Sequence, residues 1–133
     1  MEQTMITLKN ELKKGSISAA LKLAEGFKWG YFGACDPQRA AKMYRICTRS
    51  ANSKTAALGF YNLGVLYYHG YLTTQEEEEK RQRMAYACFM KSALLHHTPE
   101  ALSFLGDMYR YGKYVEKDEA VALKLYRRAG ATA

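Results

Sequence analysis

Residues 104–129 read FLGDMYRYGKYVEKDEAVALKLYRRA, and the spacing of small and aromatic residues in this stretch decides the fold. After Ala101 comes Leu105-Gly106, then Tyr109 and Gly112, followed by Val115, Asp118, Ala122, Leu125-Tyr126, Arg128 and Ala129. The first half of the chain has the same order: Ala19, Leu23-Ala24, Phe27 and Gly30, then Asp36, Ala40, Met43-Tyr44, Ile46 and Cys47. Nine residues lie between Gly30 and Ala40, and nine between Gly112 and Ala122. The middle gives Gly59, Leu63-Gly64, Tyr67 and Gly70, then Ala85, Cys88-Phe89, Lys91, Ser92 and Ala93, with five extra residues between Gly70 and Ala85. The chain is therefore an internal repeat of three copies.

Each copy reads as two helices. Leu, the small residue, the aromatic and the Gly stand at offsets 0, 1, 4 and 7, one face of a 3.6-residue helix. In the second helix Ala, a large pair and a small residue stand at 0, 3, 4 and 7, again one face. Asp36-Pro37 and Thr98-Pro99 each read as an N-cap with Pro at the first helical position. Thr74 and Glu77 have capping-box spacing, and Gly30, Gly70 and Gly112 suit helix C-termini. The predicted helices are 3–14, 17–29, 37–50, 54–69, 75–95, 99–111 and 118–129, and no strand is needed. Gly and Ala let helix backbones approach closely while Leu and the aromatic fill the space between pairs. A single pair cannot bury its apolar face, so neighbours stack. The expectation is one all-α domain, an α-solenoid over 1–133: a capping helix in 1–16 and repeats at 17–53, 54–97 and 98–133.

These positions resemble the Sel-1-like repeat, a relative of the tetratricopeptide class. The third copy follows the family unit through Ala101, Leu105, Gly106, Tyr109, Gly112, Val115, Asp118, Ala122, Tyr126, Arg128 and Ala129. It departs at Tyr114, Val121 and Leu125, where the family has Gly, Lys and Trp. The first copy has Met43 at the Trp position, and the second has Cys88 there and a rewritten loop. Leu23 to Leu63 is 40 residues and Leu63 to Leu105 is 42, longer than the roughly 34 of an ordinary tetratricopeptide unit. The resemblance implies a right-handed superhelix of α-hairpins serving as a non-enzymatic adaptor in protein complexes, with no catalytic residues and no cofactor.

Composition agrees with a folded chain: 48% hydrophobic, 25% charged and only two Pro in 133 residues. No apolar run approaches the ~18 residues of a membrane span, and the first fifteen residues lack a secretory core, which favours the cytoplasm. Cys35, Cys47 and Cys88 are an odd number without CxxC, so neither a disulfide framework nor a zinc site is suggested. Cys47 and Cys88 stand at core-type positions. Adjacent on a helix, His96 and His97 diverge by about 100° and cannot share a metal. The net charge is +7, with ten basic against four acidic residues in 1–66 and ten against nine in 67–133. The N-terminal half is thus the expected surface for an anionic partner.

Function is expected between the packing positions. Opposite the buried stripe, the first helices carry Lys28 and Trp29; Tyr61, Val65, Tyr68 and His69; and Asp107, Arg110 and Tyr111. Aromatics with Arg on a face free of the core have the composition of interaction hot spots. Such a groove would take a protein or peptide segment, with Trp29, Tyr68 and Tyr111 as anchors; rings packed inside the solenoid are the alternative. Arg39, Lys42, Arg45 and Arg49 form a basic stripe, read as a solvated face or as a contact for nucleic acid or an acidic partner in a larger assembly. The glutamates of 76–79 precede Lys80, Arg81 and Arg83 with favourable i,i+4 spacing. An exposed solenoid end offers a route to oligomers.

Overall fold

The computed structural model describes residues 2–72 and 77–130, with the side chain of Glu2 excluded. Every regular element in them is helical: α1 (Glu2–Lys13), α2 (Ile17–Trp29), α3 (Pro37–Cys47), α4 (Ser53–His69), α5 (Glu78–Leu95), α6 (Pro99–Tyr111) and α7 (Glu119–Gly130). The pairs α2/α3, α4/α5 and α6/α7 pack as hairpins, α3 meets α4 and α5 meets α6 between hairpins, and α1 packs on α2. No helix among the described residues is long and apolar enough to cross a membrane.

The repeated residues build the core. Leu23, Leu63 and Leu105 are buried, as are Ala40, Ala85 and Ala122. Small residues mark close approaches: a Cβ at Gly64 would stand 2.7 Å from the Phe89 ring, and one at Gly106 would stand 2.6 Å from Tyr126. At Gly59 the obstacle is backbone, the Tyr44 carbonyl at 2.8 Å. Gly30, Gly70 and Gly112 end their helices with φ of 75°, 71° and 67°, the left-handed conformation that costs Gly least. From there the loops of copies one and three return alike. The Asp36 N–H donates to the Phe27 carbonyl and the Asp118 N–H to that of Tyr109, both at 2.9 Å. Tyr114, where the family unit has Gly, takes φ 66° and rests its ring against Tyr86 at 5.5 Å.

Two expected boundaries differ by three residues, and the others agree to within one. Helix α3 ends at Cys47 rather than 50, and α5 begins at Glu78 rather than 75. The Thr74 end of the expected capping box lies outside the described residues, as does Glu76. Arg81 instead lays its guanidinium against the C-cap of α4, 2.2 Å from where a Gly70 Cβ would be. Asp36 caps α3 with its side chain, accepting from the Arg39 N–H at 3.1 Å. Thr98 does not cap α6 with its hydroxyl. That hydroxyl donates to the His96 carbonyl at 2.8 Å and meets the hydroxyl of Ser92, which also donates to the Ala57 carbonyl. Ser92 is fully buried and Thr98 nearly so, and both hydroxyls are held in this buried network.

Candidate functional site

First helices of successive hairpins touch through the same two positions, five after the repeat Leu and one before the next. At the first junction Lys28 donates to Asn62 Oδ1 at 3.0 Å. At the second, the Tyr68 and Phe104 rings meet edge-on at 5.1 Å. One contact is polar and the other aromatic, and together they bring α2, α4 and α6 into a single face.

The position six after the Leu stays open along that face. Trp29 is 58% exposed and Tyr111 61%, with exposed His69 between them in sequence order. Both outer rings carry a cation from the preceding residue: Lys28 Nζ lies 5.0 Å from the Trp29 ring, and the Arg110 guanidinium 5.5 Å from Tyr111. Trp29 is further held by its indole N–H, which donates to Glu25 at 2.9 Å. The other Glu25 oxygen accepts from the Tyr44 hydroxyl at 3.1 Å. Copy three repeats the arrangement, with the Tyr126 hydroxyl donating to Asp107. Burial first, and then the Asp107 carboxylate, push Tyr126 up to about 12. These tyrosines are neutral donors at any physiological pH.

Tyr61, Val65 and Tyr68 are not on a free surface. All three pack half-buried against the core, because Phe104 reaches across from α6 and stacks on Phe89 at 4.8 Å, with Tyr61 and Tyr68 around it. Tyr68 is further covered by Lys113, whose Nζ lies 5.0 Å from its ring, so it is not the free anchor expected. Sequence reading missed Phe104 because it stands at no repeated aromatic position. It also missed a cleft of about 820 Å³ between α1 and α2, where Leu8, Leu21, Tyr31 and Phe32 meet Glu11 and Glu25. The repeat is silent about α1, so nothing in the spacing places that cleft beside Trp29.

The four basic side chains of the expected stripe are exposed, but only Arg39, Lys42 and Arg45 stand on α3, since the helix ends at Cys47 and Arg49 lies beyond it. Arg39 pairs with Asp36 at 3.4 Å and lies over Phe27 at 5.7 Å. Arg45 donates to the Tyr67 hydroxyl at 3.1 Å, while Lys42 and Arg49 extend into solvent. Cys35 is exposed, Cys47 buried and Cys88 half-buried. Burial pushes the Cys47 and Cys88 thiols up to about 11, which leaves both unreactive near neutrality. Among the described residues, no three His, Cys, Asp or Glu side chains converge as a metal site.

No family model matches the chain, and no curated protein does. Solved structures match closely. A protective antigen present in uropathogenic Escherichia coli strains, which displays the SLR fold, is similar over 96% of this chain with TM-score 0.75 and 26% identity. The chain spans 25% of that protein. A Sel1 repeat protein from Oxalobacter formigenes is similar over 96% of this chain and 89% of its own, with TM-score 0.66 and 22% identity. With the fold matched along nearly its whole length and the repeat legible in its own packing residues, this chain has the Sel-1-like repeat fold, an all-α solenoid.

Proposed function

We propose that the chain is a non-enzymatic scaffold that docks a protein segment along the face of its first helices. Trp29 and Tyr111 are its anchoring rings, and Glu25, which holds Trp29, also lines the cleft between α1 and α2. The observation that carries this reading is that both rings are more than half exposed yet each is held in place, Trp29 by Glu25 and Lys28 and Tyr111 by Arg110. A large ring kept rigid in water gains little for the fold, whereas it spares a partner the entropy of ordering it. Lys28, His69, Asp107 and Arg110 supply the polar rim, and Tyr61, Val65 and Tyr68 support it from below.

The test is site-specific photo-crosslinking. With a benzophenone side chain introduced at position 29 or 111, both chains should give the same protein adduct in cells, and one at exposed His97, in the loop between α5 and α6, should not. Adducts from position 97 with none from 29 or 111 would move the docking surface elsewhere.

A further inference from the structure

The net charge of +7 is segregated by helix. The second helices α3, α5 and α7 contain ten Lys and Arg against three Glu (Glu78, Glu79 and Glu119), all three in first turns. The first helices α2, α4 and α6 contain four basic and three acidic residues. Lys42, Arg45, Arg49, Lys91, Lys124 and Arg127 are all exposed. Arg45 and Lys91, from neighbouring second helices, both act on the Cys88 thiol, so α3 and α5 contribute to one positive field. None of these six meets a carboxylate among the described residues. Like charges gathered on one face repel each other, and an anionic partner relieves that repulsion.

Arg39 and Lys42 of α3 also border a recess. Between α1, α2 and α3 a cleft of about 220 Å³ opens with an apolar floor of Leu12, Leu23, Phe27 and Met43. Its rim is Lys9, Arg39 and Lys42, and no acid lines it. The volume is below the roughly 300–1,000 Å³ of a small-molecule site, and suits one large side chain.

We infer that the second-helix face docks an acidic protein segment, one apolar side chain of which enters this cleft while flanking carboxylates meet Lys9 and Lys42. A nucleic acid would use the cations through its phosphates and leave the apolar floor unfilled. An anionic bilayer would likewise meet the charges without presenting a side chain to a recess. This surface is separate from the Trp29–Tyr111 face, so either can fail without the other.

The experiment is fluorescence anisotropy with a short labelled peptide carrying Phe between runs of Asp and Glu, read at low and physiological salt. The peptide should bind and weaken with salt. Affinity should fall about tenfold, or ~1.4 kcal/mol, when its Phe becomes Ala, and at least as much for the Lys9→Glu/Lys42→Glu protein. The Lys124→Glu/Arg127→Glu protein, altered on the same face away from the cleft, should lose less, and Trp29→Ala should lose nothing. All the substituted side chains are exposed, and circular dichroism checks that each variant folds. Equal binding of the Phe and Ala peptides, or equal losses in the two charge-reversed proteins, would overturn the cleft. Tighter binding of oligouridylate or of phosphatidylserine vesicles than of the peptide would overturn the partner class.

Discussion

Glu25 accepts hydrogen bonds from Tyr44 and Trp29 at once, and the three copies show what that pairing requires. Copy three holds Tyr126 against Asp107. Copy two has Phe89 and Val65 at the corresponding positions, so hydroxyl and carboxylate are lost together and the middle of the stack is apolar. The physical reason is the cost of burying one partner without the other. Phe89→Tyr should therefore destabilise the chain by about 1–3 kcal/mol, because Phe89 is fully buried and Val65 stands where the other copies carry the carboxylate. Adding Val65→Glu should recover much of the loss, which a double-mutant cycle by urea denaturation measures; additive losses would break the pairing rule. The pair was present in the sequence as matched changes across copies. It was not legible as a contact, because Glu25 and Tyr44 stand 19 residues apart and the repeat pattern marks only what recurs in all copies.

At the level of the helix, Leu, Ala and Gly spacing located the hairpins, since each of those residues answers to a local packing demand. Boundaries were less legible wherever a side chain had a better tertiary use. Thr98 gives its hydroxyl to Ser92 and His96, and Arg81 settles on the end of α4. The repeated small residues also differ in what stands opposite them. Gly59→Ala would drive a methyl against the Tyr44 carbonyl, where backbone must move, and should cost roughly 1–3 kcal/mol. Gly106→Ala meets the half-buried Tyr126 ring on the last helix, a side chain rather than backbone although tied to Asp107, and Ala regains up to about 1 kcal/mol of helix propensity. Its net loss should therefore be smaller than that at Gly59. Urea midpoints compare the two directly, and an equal loss at both sites would contradict this reading of what confronts each glycine.

Across the whole molecule, the division that matters is between faces rather than halves. Read linearly, the chain is more basic in residues 1–66 than in 67–133. Folded, most of the net charge sits on the second helices, while two of the exposed rings, Trp29 and Tyr111, stand at the ends of first helices. Period and composition predicted the stacked hairpins. They could not show that Tyr61 and Tyr68 turn inward around Phe104, nor that α1 opens a cleft on each flank, because both depend on residues outside the repeat. The central claim is that binding sits on Trp29 and Tyr111 while stability sits on the repeated Leu, Gly and Tyr. The most direct test measures unfolding free energy and partner capture together for the Trp29→Ala/Tyr111→Ala protein, using the partner identified by crosslinking. Stability should change by less than about 1 kcal/mol, as expected of exposed side chains, while capture is lost. Unchanged capture, or a loss of several kcal/mol in stability, would contradict the claim.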